Sequence, residues 1–505
     1  MKTDFSDLIR EELFIDGEFC HALSGETLEL INPSTGKAIT RVQSGNGEDI
    51  DRAVGVAQRA FQEGPWPALS HRERAKLLFR IADAMEAQLA ELFTLETLCN
   101  GRPVNETRTQ IIRVPDYFRY FAGLALAQRS DLIPVEGPYL NYINKVPVGV
   151  VGNSSPFNHP IMIMCKSLAA CLAAGCTTVV KPSELTPLST LYLAELFCEA
   201  GLPPGVFNVV PGTGPVAGRA LAAHPTLGKF VLTGGTEAGR AAATLAARNF
   251  TSLTLELGGN SPVLVFEDVD LEQVVNMATF GQFIGAGQTC IAANRFIVQR
   301  TLYETFCEAL KAKTEQIRVG DPFDEATQMG PVISEHARSR VLEYVEVGKL
   351  EGATLLTGGG RATVPGFEGG FFLQPTIFKD VTPDMRIGQA EVFGPFAIVT
   401  PFDSEEDAVR IANDSPYALG AGLHTNDLTR AHDIARRLRA GLVWINDHHR
   451  NDPASPWGGF GDSGMGREYG SESFESYFLP QSIWVRLNKT PFDWYRDTHK
   501  QKRLN

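Results

Sequence analysis

Between residues 148 and 266 short runs of β-branched and aliphatic residues alternate with longer stretches whose apolar positions recur at helical spacing. "VGVVGN" is followed by a helical pattern from His159, "CTTVVKP" by one from Pro187, and "VFNVV", "KFVLTGG" and "LTLELGG" continue the series with helical patterns between them. Strand starts recur at intervals of about 23 to 30 residues, the size of one strand with its crossover helix. The pattern predicts a parallel sheet covered by helices on both faces, with its ligand beyond the carboxyl ends of the strands. Those ends carry "GNSSPFN", "KPSE", "PGTG" and "TGGTEAG". A second set begins near 263 with "PVLVF", a helix from Leu271, "RFIVQ", a helix from Leu302, "ATLLTGG", "PFAIVTPF", a helix from Ser404 and "AGLVWIN". Residues 1–127 read as a hairpin-like portion ("LFIDGEF", "LELINPSTG") and then mainly helix, with one amphipathic helix over "HRERAKLLFRIADAMEAQLAELF".

A chain of 505 residues is too long for one compact core, so two or three domains are expected. The hydrophobic share of 43% and charged share of 21% are those of an ordinary globular protein. A formal net charge of −13, with no Lys/Arg stripe, weighs against nucleic acid or an anionic membrane as partner. The N-terminal stretch "MKTDFSDLIREELF" has no apolar core of a signal peptide, and no run reaches the roughly 18 apolar residues of a span. The eight cysteines form neither a CxxC pair nor a Cys/His ligand pattern. A reducing, cytoplasmic location and no metal are the expectation.

One cysteine stands apart. Cys290, in "FIGAGQTCIAANR", follows a Gly-Ala-Gly run that could present a sulfur at the tip of a turn. The competing reading is a small packed residue, as cysteine often is. Cys165, Cys171 and Cys176, among alanines and leucines, read as core. Glu256 ends a strand-like apolar run with glycines at 258 and 259 behind it, Asn158 ends another with an amide able to donate to an oxyanion, and Glu391 and Phe393 stand in "EVFGPF". Three other stretches are decoys. "PGTGPVAG" is one residue too long for a dinucleotide fingerprint, "GDSGMG" lacks the surroundings of a serine protease and reads as a glycine-rich loop, and "DHHRND" has no helical pair of ligands and reads as a polar loop near a pocket.

Taken together and in order, "SPFNHP", "VVKPSELTP", "VLTGGTEAGR", "LELGGNSP", "GAGQTC", "EVFGPF" and "PWGGFGDSGMGRE" resemble the aldehyde dehydrogenase superfamily, from about residue 12 to 485. The resemblance implies an α/β fold: two Rossmann-like parallel-sheet domains, one for cofactor and one for catalysis, with a small bridging β-arm for oligomerisation. By position the cofactor domain is 1–127 with 148–257, the catalytic domain 258–477, the arm 128–147 with 478–490, and 491–505 a tail. It implies oxidation of an aldehyde to a carboxylic acid with NAD, NADP being possible, by a homodimer or homotetramer. Cys290 is then the nucleophile that forms a thiohemiacetal and a thioester. Asn158 with the Cys290 N–H holds the oxyanion, Glu256 is the general base, and Glu468 matches a second, proton-relaying glutamate. Lys181 and Glu184 correspond to adenine-ribose partners, and Thr233, Gly234, Gly235 and Gly239 to the helix start that receives the pyrophosphate. Phe157, Leu257, Glu391 and Phe393 lie by the same matching around the nicotinamide and its ribose.

The chain departs from the usual pattern in places. Phe157 replaces a tryptophan, Gly285 an asparagine, and Ser167 a lysine, with Lys166 one place earlier; Ala390 and Gly461 replace a glutamate and a lysine. The first three are not expected to touch the bond-making groups, and Ala390 and Gly461 are expected to bear on substrate fit and cofactor dynamics rather than on the reaction class. The substrate pocket is expected to include Met162, Ile163, Lys166, Thr289, Ile291, Asn451 and Trp457, with the 446–452 loop at its mouth. Two other readings are a cofactor-independent cysteine hydrolase or acyltransferase, and an inactive binding or structural protein on the same scaffold. A CoA-acylating relative is nearer, but Glu256 favours water as acceptor.

Overall fold

The computed structural model describes residues 5–489 and Tyr495; apart from Tyr495 the expected tail over 491–505 lies outside the described residues. The alternating segments of the first half form an α/β layer. Val150–Ser154, Thr177–Lys181 and Phe207–Val209 run parallel on one side, and Leu227–Thr233 and Ser252–Glu256 on the other. Every residue of Val150–Ser154 and Thr177–Lys181 is buried, which is why these strands show no two-residue alternation of apolar and solvent-facing positions. The chain enters at the central strand and builds outward in both directions, so the crevice lies between the carboxyl ends of Val150–Ser154 and Leu227–Thr233. The N-terminal hairpin Leu13–Ile15 and Glu18–Cys20 extends one edge antiparallel. The short strand Gly464–Met465, from far along the chain, closes the other against Ser252–Glu256.

A seven-stranded sheet holds the second set, in the order Thr354–Thr357, Thr376–Lys379, Phe396–Phe402, Arg295–Gln299, Pro262–Val265, Gly420–His424 and Leu442–Ile445, parallel except for its first strand. A three-stranded antiparallel sheet of Leu132–Ile133, Tyr139–Pro147 and Phe478–Arg486 projects with Leu132, Tyr139, Leu479 and Trp484 exposed.

The single helix expected over 71–93 is two helices, His71–Ala87 and Leu89–Asn100. The first is opened by a reciprocal cap between Ser70 and Glu73, and it ends where Gln88 leaves helical geometry at φ −118°, ψ 24°. The second helix thereby swings its C-terminal end, Leu95 to Asn100, into full burial. The left-handed Gly101 stops it.

Candidate active site

The helix Leu271–Phe283 ends and the chain turns through Gly285, Ala286 and Gly287 at φ +61°, +53° and +71°. Three left-handed residues in a row demand glycine wherever space is short. A Cβ on Gly287 would lie 2.0 Å from the Gly394 carbonyl oxygen. The turn delivers Cys290, partly exposed, between that helix and the strand Arg295–Gln299. Its carbonyl presses on Gly259, where a Cβ would stand 2.1 Å from the Cys290 oxygen, so the "LELGG" segment and the cysteine loop meet only because 259 is glycine. Two histidines strap the same loop from behind: His448 Nε2 bonds the Ile291 carbonyl at 2.7 Å and His449 Nε2 the Gly281 carbonyl at 2.9 Å. The "DHHRND" segment is thus a scaffold for the cysteine, and among the described residues no cluster of three or more His, Cys, Asp or Glu could hold a metal ion. "GDSGMG" likewise forms a short turn and edge strand in which the Ser463 hydroxyl donates to the Gly258 carbonyl at 2.6 Å.

Asn158 follows the central strand and is buried. Its Nδ2 donates to the Gln288 carbonyl at 2.9 Å, two residues before the cysteine, and its Oδ1 accepts from the His159 N–H at 3.0 Å. The amide's second N–H is left for another acceptor. The Asn158 carbonyl is itself gripped by Asn100 Nδ2 at 3.3 Å and, more weakly, Arg102 Nη1 at 3.5 Å. Arg102 pairs with the fully buried Glu96 at 2.9 Å and with Glu106 at 2.8 Å, and Glu96 Oε2 receives the Ile161 N–H at 3.2 Å. This clamp went unread in the sequence, where its only signal is a glutamate set among apolar neighbours in "LFTLETLCNGR".

Burial pushes the Glu96 carboxyl up to about 7, against the opposing pull of Arg102 and the Ile161 N–H and with a smaller upward push from Glu106. Arg102→Met should therefore destabilise the fold by about 3 kcal/mol, the cost of stripping one partner from a buried pair. The sign with pH follows. A carboxyl raised in the fold loses stability as pH rises toward its folded value, and removing Arg102 raises that value further. Denaturant unfolding should show the deficit of Arg102→Met widening as pH rises above about 7.

Glu256 is the last residue of its strand and is buried, and neither carboxyl oxygen has a protein hydrogen-bond partner. The Trp457 indole lies near it without closing a well-directed bond. Burial holds the Glu256 carboxyl well above the usual range; Lys166 opposes this and Glu468 reinforces it. Lys166 Nζ is 2.6 Å from Glu468 Oε2 and lies over the rings of Trp457 at 4.8 Å and Tyr469 at 5.2 Å. Glu468 and Trp457 exchange both backbone hydrogen bonds, at 2.7 and 2.8 Å, which fixes the glutamate. The Cys290 thiol is pushed up to about 12 by burial, lowered by Lys166 and raised by Glu256 and Glu391. Lys166 therefore bears on both the sulfur and the carboxyl. Lys166, expected to line the pocket without bearing on the bond-making groups, is the one departure for which that expectation is corrected here. Ser167 turns the other way, bonding Asn153 and the Met164 carbonyl, while Lys166 supplies the nearby ammonium.

Around the crevice, Gly234 and Gly235 precede the helix Thr236–Ala247, whose first N–H groups have no side-chain cap, and open space lies where a Gly235 Cβ would be. A Cβ on Gly239 would lie 2.5 Å from Leu257, so this glycine lets the helix seat on that leucine. Thr233 pairs in register with Glu256. Lys181 Nζ reaches the Pro182 and Gly212 carbonyls at 2.9 and 3.3 Å and Glu184 at 3.4 Å, so "PGTG" supports the lysine at the strand end. Glu391 Oε1 accepts the Gly259 N–H at 2.9 Å, and burial pushes its carboxyl up to about 7. Phe157 and Phe393 meet edge to face at 5.9 Å. An uncapped helix start at a strand's carboxyl end, with room at a glycine, suits a pyrophosphate.

Residues 19–483 match the Aldehyde dehydrogenase family model. The chain is 41% identical over 481 residues to an aldehyde dehydrogenase of Aspergillus niger, covering 95% of this chain and 96% of the relative. It is 40% identical over 479 residues to the mitochondrial aldehyde dehydrogenase of Rattus norvegicus, covering 94% and 92%. Among solved structures, an aldehyde dehydrogenase of Bacillus cereus superposes with TM-score 0.94 at 42% identity over 97% of this chain and 99% of the other. The betaine aldehyde dehydrogenase of Staphylococcus aureus, solved with NAD+, gives 0.95 at 37% identity over 97% of each.

Proposed function

The chain belongs to the aldehyde dehydrogenase family, an NAD(P)-dependent aldehyde-oxidising enzyme, and on that premise we propose that Cys290, Asn158, Glu256 and Glu468 divide the chemistry among them. The Cys290 thiolate attacks the carbonyl carbon to give a thiohemiacetal, and the negative charge falls on oxygen. The free N–H of Asn158 Nδ2 and the Cys290 backbone N–H receive it; one such donor is worth roughly 2.7 to 4 kcal/mol in comparable sites. NAD(P), when bound, supplies the acceptor for the hydride that leaves the same carbon. The thioester left on Cys290 needs water, and Glu256 takes the water's proton as the acyl–sulfur bond breaks. Glu468, tied to Lys166, receives that proton onward. The observation that carries this reading is the pair of Glu256 oxygens, buried and without protein partners, beside the Cys290 thiol.

Gly234, Gly235 and the helix behind them would hold the pyrophosphate, Lys181 and Glu184 the adenine ribose, and Glu391 the nicotinamide ribose, with Phe157, Phe393, Thr233, Gly239 and Leu257 shaping the walls. Glu184, half-exposed beside Lys181, favours NAD over NADP because a carboxylate repels a 2′-phosphate. In this reading the eight-stranded layer is the cofactor domain and the seven-stranded layer the catalytic one. The apolar exposed side chains of the three-stranded sheet would be covered in a homodimer or homotetramer. A cytoplasmic location is supported by eight free cysteines, and no described helix is long and apolar enough to cross a membrane.

A panel of aliphatic, aromatic and semialdehyde substrates with NAD and with NADP tests the assignment. Reduction of the nicotinamide by at least one aldehyde class, faster with NAD, is expected. Ester or thioester turnover without dinucleotide, together with no aldehyde-dependent reduction, would overturn it.

A further inference from the structure

The side chain of Asn158 serves an oxyanion only while its N–H face is turned to Cys290, and that orientation is set by the peptide joining residues 158 and 159. The N–H of this peptide, on His159, donates to Asn158 Oδ1 at 3.0 Å. The oxygen of the amide is thereby committed, and Nδ2 is turned to the Gln288 carbonyl at 2.9 Å, on the cysteine turn. The carbonyl of the same peptide receives Asn100 Nδ2 at 3.3 Å and, more weakly, Arg102 Nη1 at 3.5 Å. Asn100 cannot reverse its own amide. Its Oδ1 accepts the Arg102 N–H at 3.0 Å, so Nδ2 is the atom left for residue 158.

Asn100 itself stands in a fixed place. It is the last residue of the helix Leu89–Asn100 and is buried. The left-handed Gly101 after it is wedged between two prolines, where a Cβ would stand 2.6 Å from Pro331 Cγ and 2.9 Å from Pro33 Cγ. Beyond Asn158 the chain is held as well. Pro160 has no N–H to bond, the Ile161 N–H goes to Glu96 at 3.2 Å, and the Ile163 N–H goes to the His159 carbonyl at 3.0 Å. The 158 carbonyl is therefore where the peptide would turn if released. A turned peptide takes the His159 N–H away from Oδ1 and lets the amide rotate.

We infer that Asn100 is a positioning residue of the oxyanion site, holding the 158–159 peptide so that the Asn158 amide presents its N–H to the charge that develops on the carbonyl oxygen beside Cys290. The inference rests on the reading above in which Asn158 receives that charge. A donor already aimed at the developing charge needs no reorientation at the moment of reaction, whereas a donor free to rotate loses part of its stabilisation to being aligned.

Asn100→Ser keeps a hydroxyl acceptor for the Arg102 N–H and is too short to reach residue 158. With the fastest aldehyde of the panel above and NAD, it should slow single-turnover NADH formation about tenfold, a fraction of the roughly 10^2-fold loss expected for Asn158→Ala. The affinity of a trifluoromethyl ketone of the same skeleton should fall by a similar factor, because its carbonyl carbon takes the thiolate while the charge passes to oxygen. Iodoacetamide alkylation, in which the sulfur displaces iodide and no oxyanion forms, should stay within about twofold of wild type. In the Asn158→Ala background, Asn100→Ser should change neither NADH formation nor ketone affinity, since its route to the reaction is gone. Asn100→Asp, of the same shape without the donor, goes through the same cycle, where any effect of its charge on the thiol appears in both backgrounds and cancels. Equal losses in both backgrounds, or alkylation falling in step with NADH formation, would make Asn100 a general support of the fold and overturn the inference. Unimpaired Asn100 variants beside an impaired Asn158→Ala remove the inference alone; an unimpaired Asn158→Ala removes the oxyanion assignment and the inference with it.

Discussion

Cys290→Ala is expected to abolish aldehyde-dependent NADH formation, with a loss on the order of 10^5-fold, because no other group can form the covalent bond on which both half-reactions depend. The remaining seven cysteines give no substitute. Cys165, Cys171, Cys176 and Cys99 are buried in the core of the first layer and Cys307 in that of the second, while Cys20 and Cys198 are outside the site and held above their ordinary values by burial first. A variant that keeps more than about 1% of wild-type turnover would remove the sulfur from the mechanism. The thiol, raised to about 12, is mostly protonated at neutral pH. In the cofactor-free protein its alkylation by iodoacetamide should accelerate steadily from neutral to alkaline pH. Lys166→Met, which deletes the foremost charge lowering the thiol, should slow that alkylation at any given pH, and Lys166→Arg should restore it in part. An alkylation rate independent of both pH and residue 166 would contradict this electrostatic picture.

Glu256→Gln should separate the two half-reactions. The first turnover survives as a burst of NADH close to one per site, while the steady state falls roughly 10^2- to 10^4-fold, the usual contribution of a positioned base. The pH dependence has a definite sign. A base works when deprotonated, and burial with Glu468 holds Glu256 protonated beyond the ordinary carboxylate range. Wild-type deacylation should therefore rise with pH along a limb set by Glu256, which is absent in Glu256→Gln. Rapid-quench measurement of the burst together with the steady-state pH profile checks both. An unchanged steady-state rate would assign the water's proton to another group.

The strand-and-helix alternation of the first layer was legible because its strands are buried on both faces, open on β-branched residues and show no alternation of apolar with solvent-facing positions. The strand Gly420–His424 was not read, since "GAGLH" carries no β-branched residue; it is a strand because glycines there let Trp444 and His448 pack against it. The helix Glu335–Leu350 was also missed, although Ser334 caps it, because charge obscures its apolar stripe. The break at Gln88 left no mark on a periodicity that continues across it. In the site, the groups that end strands were readable from motif order, and Lys166 was placed in the pocket by position, but its pairing with Glu468 and its bearing on the sulfur were not readable. Adjacent helical positions diverge by about 100°, and spacing along the chain cannot say which partners a pocket side chain meets. Only the packed helix decides it.

The small strand Gly464–Met465 carries a consequence for synthesis. The strand that ends in Glu256 pairs on its outer side with residues about two hundred positions later, and Leu257 donates its N–H to Ser463. While the ribosome is still translating the second half, the nascent first layer therefore has a bare β-edge at the very strand bearing the base, a surface open to mispairing with other unfinished chains. Chaperone engagement during translation should concentrate on that interval and end once the segment around 465 has emerged.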